Sequence, residues 1–143
     1  MIRLDHVAIA VRKIEERLPL YRDLLGLPLR AEEEIPGEKV RVAILGDGAG
    51  RIELLEASAP GSPVGKFLKE RGEGIHHLCF LVDSVEATCR RLQGAGMRLA
   101  GAIRPGSEGS RIAFLHPKDA GGVLIELREA RGGAGAAGRE EQR

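Results

Sequence analysis

Residues 5–11 read Asp-His-Val-Ala-Ile-Ala-Val, and residues 76–82 read His-His-Leu-Cys-Phe-Leu-Val. Both stretches are short and rich in apolar residues, as expected of strands. Each carries a histidine at the corresponding place, His6 in the first and His77 in the second. Two similar strands with a histidine at the same point indicate that the chain contains a duplicated unit.

A pair of glutamates repeats in the same way. Residues 52–57 read Ile-Glu-Leu-Leu-Glu-Ala and residues 125–130 read Ile-Glu-Leu-Arg-Glu-Ala, which places Glu53 and Glu126 inside apolar strands. An ionised carboxylate in such a strand is costly unless it is paired or binds a cation. One histidine and one glutamate per copy can bring four ligands to one point. Imidazole and carboxylate together suit a divalent first-row transition metal.

The remainder of each copy predicts a helix and three further strands. Apolar residues recur at helical spacing after the first strand of each copy, and glycines follow, where a left-handed residue commonly ends a helix. The pattern predicts an α+β fold of two tandem βαβββ modules. The later strands are expected at 27–30, 39–45 and 51–56 in the first module and at 97–102, 111–115 and 123–128 in the second.

The repeat also predicts the domain organisation. We expect one domain over residues 1–130, with modules at about 1–57 and 74–130 and a linker at 58–73 that holds a short amphipathic helix. A module of this size cannot bury both faces of a sheet alone, so it is expected to pack on the other module or on a second chain. Residues 131–143 contain Gly, Ala and charge without apolar periodicity and are predicted to be a disordered tail.

The composition argues against several function classes. The chain of 143 residues is 43% hydrophobic with a formal net charge of +1, so no basic surface for nucleic acid is indicated. Aromatic residues make up only 3%, which is too few for base-stacking surfaces. Apolar stretches are shorter than a membrane span, and the early charges do not fit a secretory leader. Cys79 and Cys89 do not form a disulfide framework, which predicts reduced cysteines and a cytoplasmic protein.

Each histidine also has a structural explanation. A single histidine in an apolar strand is commonly a hydrogen-bonded core residue, and it is the repetition of His6 and His77 that favours metal binding. His76 must point to the opposite face from His77 and is expected to be structural. His116 follows a strand end and is expected to lie in a loop or in the wall of a site.

Other charged or glycine-rich segments favour structural roles. Glu56 and Glu129 come three residues after Glu53 and Glu126, so they face the opposite side and are expected to be solvated strand-end residues. Residues 32–34 are three consecutive glutamates and predict a solvated loop. Residues 106–110 predict a flexible connection, because no Gly-Lys-Ser/Thr follows them to form a phosphate loop.

Four motifs resemble the vicinal oxygen chelate superfamily, most closely its methylmalonyl-CoA epimerase family. They are the stretches at 4–11, 62–68 (Ser-Pro-Val-Gly-Lys-Phe-Leu), 74–83 (Gly-Ile-His-His-Leu-Cys-Phe-Leu-Val-Asp) and 114–127 (Phe-Leu-His-Pro-Lys-Asp-Ala-Gly-Gly-Val-Leu-Ile-Glu-Leu). The last motif discriminates best, since glyoxalase I relatives usually carry an Asp-Pro-Asp-Gly type turn there. The resemblance implies paired βαβββ modules that form a cupped mixed sheet around a metal site.

The resemblance also implies the roles of the repeated residues. His6, His77 and Glu126 correspond to metal ligands, and Glu53 takes the fourth position, where many epimerases carry Gln. One divalent ion per chain is expected, with cobalt first and manganese or nickel next. Some epimerases place a second catalytic glutamate on the preceding strand, where this chain has Val42. Glu126 is therefore the first choice for the catalytic base and Glu53 the second.

The implied activity is a metal-dependent interconversion of the 2R and 2S epimers of methylmalonyl-CoA through an enolate. We expect CoA contacts at Lys118 and residues 62–69, a homodimer, and neither a nucleic-acid nor a membrane partner. Three alternatives stay open. The first is a glyoxalase I type lactoylglutathione lyase, which uses the same ligand types. The second is another metal-dependent dioxygenase or isomerase of this fold. The third is a non-enzymatic small-molecule binding protein, which typically lacks the metal ligands.

Overall fold

The structure, a computed structural model, describes residues 2–130. Within this range each half of the chain contains a strand, a helix and three strands, which confirms the α+β class and the duplicated βαβββ modules. A further helix, α2, connects the halves, as the linker pattern predicts. The strands are β1 Arg3–Ala10, β2 Leu29–Ile35, β3 Val40–Leu45, β4 Ile52–Ala57, β5 Gly74–Val82, β6 Arg104–Pro105, β7 Arg111–Leu115 and β8 Ile125–Glu129; the helices are α1 Ile14–Leu18, α2 Pro63–Arg71 and α3 Val85–Gly94.

The described residues divide into two compact units. Residues 6–76 form one unit, and residues 77–130 form the other, which also includes the start of the chain up to Asp5. The first residues of β1, up to Asp5, therefore belong to the same unit as the second half of the chain. The proposed domain boundary at residue 130 stays a prediction, and the disordered tail predicted at 131–143 lies outside the described residues.

The first unit contains a four-stranded mixed sheet in the order β2-β3-β4-β1. Strands β1 and β4 run parallel, and the other neighbours run antiparallel. Residues of α1 pack with one sheet face, and residues of α2 pack with the other. The first group is Ile14 and Leu18 with Ala43, Leu45 and Leu54, and the second is Val64, Phe67 and Leu68 with Val42, Ile44 and Leu55.

The second unit repeats this arrangement in the order β5-β8-β7-β6. Strands β5 and β8 are parallel, and β7 runs antiparallel to both of its neighbours. Helix α3 buries Val85 and Cys89 against Val82, Ala113 and Leu127 of one sheet face. The opposite face carries His77 and Glu126, because side chains alternate along a strand.

Two strand predictions are wrong in their extent. Strand β2 includes the three glutamates at 32–34, which the sequence favoured as a loop. It is the edge strand of its half, where charged side chains remain in water and discourage pairing with another chain. The strand predicted at 97–102 is reduced to one bridge between Leu99 and Leu115. Gly101 has a φ of +89°, which interrupts the extended backbone before β6 begins.

The first helix is shorter than its apolar spacing predicts. After Leu18 the chain continues as wider π-helical turns over Pro19–Leu24, and the Leu25 amide donates to the Leu20 carbonyl at 2.9 Å. Pro19 has no backbone N–H, so it cannot continue the α-helical ladder. The turns leave Leu20, Leu24 and Leu25 exposed.

Glu56 and Glu129 are not solvated strand-end residues, contrary to the prediction. A carboxylate oxygen of Glu56 accepts a hydrogen bond from the Ile14 amide at 2.8 Å, and Glu129 accepts one from the Val85 amide at the same distance. Ile14 and Val85 are the first residues of α1 and α3, where backbone N–H groups lack partners within the helix. A negative charge there also offsets the positive end of the helix dipole. In each half, therefore, a strand glutamate accepts a hydrogen bond from the first residue of the helix.

Two composition-based expectations concern cysteines and membranes. Cys79 and Cys89 are buried and form no disulfide among the described residues, as predicted. Burial raises the pKa of the Cys89 thiol, which keeps it protonated and unreactive. Among residues 2–130 we find no helix with the length and apolar character needed to cross a membrane.

Candidate metal and catalytic site

His6 and Glu53 form a buried pair in the first unit. Ala8 of β1 is the register partner of Glu53 in β4, so His6, two residues before Ala8, shares the sheet face of Glu53. His6 Nδ1 lies 3.2 Å from Glu53 Oε2. The residues are only 2% and 3% exposed, so the carboxylate is removed from water and depends on polar neighbours.

His77 and Glu126 form the equivalent pair in the second unit. Cys79 of β5 is the register partner of Glu126 in β8, which places His77 on the face of Glu126 by the same two-residue offset. His77 Nε2 lies 2.9 Å from Glu126 Oε1, and both residues are buried. The structure thus brings together the histidine and glutamate within each copy.

The donor atoms of each pair fit two neighbouring positions around a divalent metal. Two ligands at about 2.1 Å from an octahedral ion, at right angles to each other, stand about 3.0 Å apart. The two nitrogen–oxygen distances, 3.2 and 2.9 Å, are close to this separation. Imidazole nitrogen and carboxylate oxygen are also the donors that cobalt, manganese and nickel accept.

Apolar side chains lie directly beside both glutamates in the sheet. Ile44 is the register partner of Glu53 in β3, and Phe114 is the partner of Glu126 in β7. The Phe114 and His77 rings meet edge to face, with 5.4 Å between their centres. These neighbours reduce the access of water to the carboxylates, which strengthens their interactions with a cation or a reacting proton.

An arginine lies beside Glu53 in the first copy. Arg51 Nη2 lies 3.6 Å from Glu53 Oε2. At the corresponding position of the second copy, two residues before Glu126, the chain has Leu124. The arginine therefore belongs to the first sequence copy and is not repeated at that position of the second.

A buried ion-pair network lies on the face of Glu126. Arg128, two residues further along β8, donates from Nη1 to Asp5 at 2.9 Å and from Nη2 to Glu108 at 2.7 Å. Its Nε donates to the Ser110 hydroxyl at 2.9 Å. Residues 106–110 are therefore anchored, whereas the sequence predicted a flexible connection. An arginine within the apolar strand pattern of 125–129 was the signal for a buried partner.

The remaining histidines take structural positions. The His76 ring contacts Phe67 of α2 edge to face, with 5.1 Å between ring centres, so it belongs to the packing of the first unit. His116 precedes a short turn at 117–120, and its Nδ1 accepts a hydrogen bond from the Lys118 amide at 3.2 Å. Both placements agree with the structural roles expected from the sequence.

Comparison with known proteins gives a consistent result. A family model described as the Glyoxalase/Bleomycin resistance protein/Dioxygenase superfamily matches residues 3–127. An ethylmalonyl-CoA/methylmalonyl-CoA epimerase of Cereibacter sphaeroides is 41% identical over 130 residues, covering 89% of this chain and 97% of the relative. A lactoylglutathione lyase of Haemophilus influenzae is less similar, at 31% identity over 133 residues, covering 90% and 93%.

Solved structures resemble the fold closely. The crystal structure of methylmalonyl-CoA epimerase from Mycobacterium tuberculosis superposes with a TM-score of 0.86 at 43% identity, covering 93% of this chain and 91% of that one. A methylmalonyl-CoA epimerase in complex with methylmalonyl-CoA and NH4+ superposes with a TM-score of 0.87 at 37% identity, covering 92% and 96%.

Proposed function

The chain belongs to the Glyoxalase/Bleomycin resistance protein/Dioxygenase superfamily, and within it we propose that this protein is an epimerase acting on an acyl-CoA thioester. The reaction is the interconversion of (2R)- and (2S)-methylmalonyl-CoA. One observation carries the proposal: proteins similar over about nine-tenths of the chain are epimerases of this substrate, and both buried histidine–glutamate pairs are present here.

We propose that His6, Glu53, His77 and Glu126 together bind one divalent metal ion per chain. Two considerations support this: the duplicated sequence supplies matching donors, and each pair has the spacing of neighbouring metal ligands. Two imidazole nitrogens and two carboxylate oxygens would suit cobalt, with manganese or nickel as alternatives. When bound, the ion supplies Lewis acidity that stabilises negative charge as it develops on the substrate.

The proton at C2 is moved by glutamate in this proposal. Epimerisation requires a base that removes the proton from one face of C2 and a group that returns a proton to the other face. Glu126 is the first choice for the base, and Glu53 is the second. In a two-base scheme, each of these glutamates would serve one face of C2. Val42 stands where some epimerases carry a further glutamate, so the base must come from elsewhere in this chain.

The neighbours of each glutamate support these roles. Phe114 beside Glu126 and Ile44 beside Glu53 exclude water, which limits proton exchange with solvent during the transfer. Arg51 Nη2 lies 3.6 Å from Glu53 Oε2, which places a positive charge beside this carboxylate. Both glutamates stay in the proposed ligand set, with Glu126 the first choice for the base.

The test follows deuterium from solvent to substrate. In D₂O the metal-loaded protein should incorporate deuterium at C2 of methylmalonyl-CoA and convert either pure epimer into a mixture, read by proton NMR. A parallel assay with the glutathione hemithioacetal of methylglyoxal covers the lyase alternative. Turnover of the hemithioacetal without C2 exchange in methylmalonyl-CoA would replace the epimerase proposal with that alternative.

Two further expectations belong to the same proposal. We propose a homodimer, supported by the exposed leucines 20, 24 and 25 on the turns after α1. A sedimentation velocity experiment gives the mass directly. We also propose a cytoplasmic location, supported by two cysteines that form no disulfide among the described residues, which fractionation of the source cells tests.

A further inference from the structure

Arg104 lies on the sheet face of His77 and Glu126. It pairs with Ile112 in the register of β6 and β7, two residues from Phe114, the partner of Glu126. Its guanidinium carbon lies 5.1 Å from the centre of the Phe114 ring, and that ring is in a T-shaped contact with the His77 ring. The Arg104 guanidinium therefore contacts a ring that itself contacts His77 of the candidate catalytic pair.

The backbone around Arg104 is shaped to hold this guanidinium. Arg104 Nη1 donates to the Ala102 carbonyl at 2.9 Å. Gly101 makes room for it, since a side-chain carbon there would lie 3.1 Å from Arg104 Nη1, and the φ of +89° at Gly101 already disfavours other residues. The guanidinium is thus oriented by a carbonyl on one side and an aromatic ring on another.

The segment that follows Arg104 is fixed to the same face. A side-chain carbon at Gly106 would lie 2.6 Å from Ile112 Cγ2, so only glycine allows this close approach. Arg128 then holds the far end through Glu108 and Ser110. Glu108 keeps its ion pair at a φ of +57°, a strained value for a residue other than glycine. These contacts hold the 104–110 segment, and so preorganise Arg104 before any ligand binds.

We propose that Arg104 binds the free carboxylate of the acyl group, and so makes the protein specific for carboxylated acyl-CoA thioesters. The proposal rests on the epimerase function, since that substrate brings a carboxylate next to its reacting carbon. The planar fork of a guanidinium matches the two oxygens of a carboxylate. The CoA phosphates are the other anionic groups of the substrate, but the pantetheine arm separates them from C2. The position of Arg104 beside the ring that contacts His77 therefore favours the carboxylate.

The experiment compares two ligands that differ only at the group in question. Malonyl-CoA carries a carboxylate where propionyl-CoA carries a methyl group. Binding of each to the metal-loaded protein is measured by calorimetry, in wild type and in Arg104→Leu. We expect the substitution to lower the affinity for malonyl-CoA by about tenfold or more, as for a lost hydrogen bond to a charged group. The affinity for propionyl-CoA should fall by less than about twofold. Arg104→Lys should recover part of the difference.

Arg90→Leu provides a matched control, since this exposed arginine lies on α3, which packs on the opposite sheet face. It should leave both affinities unchanged. Circular dichroism melting curves check that each variant folds. If Arg104→Leu weakens the binding of both ligands equally, Arg104 contacts the CoA phosphates and the proposal is wrong. An unchanged preference for malonyl-CoA in Arg104→Leu would also overturn the proposal. Absence of epimerase activity in the wild type would instead reject the proposed function.

Discussion

The carboxylate of Asp5 lies 2.9 Å from Nη1 of Arg128, although 123 positions separate the two residues in the chain. Both side chains are 4% exposed. Their ion pair joins the start of β1 to β8, so the first residues of the chain belong to the second compact unit. In the sequence, Asp5 directly precedes His6, and Arg128 follows Glu126 by two residues.

Removing Arg128 alone should destabilise the protein strongly. Arg128→Leu leaves the Asp5 carboxylate buried without its cation, which typically costs about 3–5 kcal/mol. Urea denaturation followed by circular dichroism measures the change in the free energy of unfolding. The double variant Asp5→Leu with Arg128→Leu should be more stable than Arg128→Leu alone. Equal stability of the single and double variants would show that the ion pair is not the cause.

The number of metal ions per chain distinguishes one site shared by both histidine–glutamate pairs from two independent sites. Elemental analysis should find one divalent ion per chain after loading with cobalt, because the two pairs supply four ligands to one ion. His6→Ala and His77→Ala should each remove most of the bound metal. His76→Ala is the control and should bind metal normally, since its ring packs on Phe67. Two ions per chain, each lost with one histidine, would contradict a shared site.

Removing the metal should abolish epimerisation reversibly. Dialysis against a chelator should leave an inactive protein, because charge developing on the substrate loses its counter-charge. Activity should return with cobalt and, to different degrees, with manganese or nickel. Full activity in protein shown by elemental analysis to be metal-free would reject metal dependence.

The two glutamates should respond differently to loss of charge. Glu126→Gln should lower activity by at least about 10²-fold, because amide replaces the base that moves the C2 proton. Glu53→Gln should be milder for metal binding, since related epimerases carry Gln there. Epimerisation and C2 exchange in D₂O are measured for both variants. Near-normal epimerisation in both would reject either glutamate as the base.

The same pair of variants distinguishes one base from two. If Glu53 serves the second face of C2, Glu53→Gln should block epimerisation and still allow deuterium exchange from one epimer. If Glu126 alone moves the proton, exchange and epimerisation should survive together in Glu53→Gln. The ratio of the two rates, measured from each pure epimer, decides between these schemes.

The capping glutamates should contribute to stability and not to metal binding. Glu129→Ala removes the acceptor for the Val85 amide and should cost about 1 kcal/mol, the usual loss for a helix cap. Glu129→Gln keeps an oxygen acceptor and should lose less. Urea denaturation gives both values, and elemental analysis should show unchanged metal. Loss of metal in a fully folded Glu129→Ala variant would contradict a purely structural role.

Asp119 gives a prediction for pH. Side-chain hydrogen bonds from Arg98, together with its backbone amide, lower the pKa of Asp119 to about 2. A depressed carboxyl pKa stabilises the folded state above the unfolded value of 3.8, and this contribution is lost as the pH falls through about 2. NMR titration should show the pKa of Asp119 returning toward 3.8 in Arg98→Ala. An unchanged pKa would assign the shift to another group.

The duplicated fold was predictable because its signals are local and occur twice. The strand patterns around His6 and His77, and around Glu53 and Glu126, each repeat with the same alternation. A two-residue period fixes the sheet face of a side chain without knowledge of its partners. The helix in the linker and the structural role of His76 follow from the same kind of local argument.

The errors occur where a neighbour distant in the chain decides the outcome. The three consecutive glutamates are typical of a loop, but they form a strand because β3 pairs with them. Glu56 was expected to be solvated, but it accepts a hydrogen bond from an amide of α1. The length of α1 is a different, local error: Pro19 follows α1 directly and removes one hydrogen bond, which apolar spacing alone does not show.

The sequence by itself determined the duplicated units, their βαβββ order, and the histidine and glutamate that each copy contributes, because these depend on periodicity and residue type. Only the tertiary structure decided which charges meet. Arg128 beside Asp5 and Arg104 over Phe114 depend on strand register and loop path. These are set by packing of the whole chain, since an ion pair forms wherever the fold brings opposite charges within a few ångströms, whatever their separation in sequence.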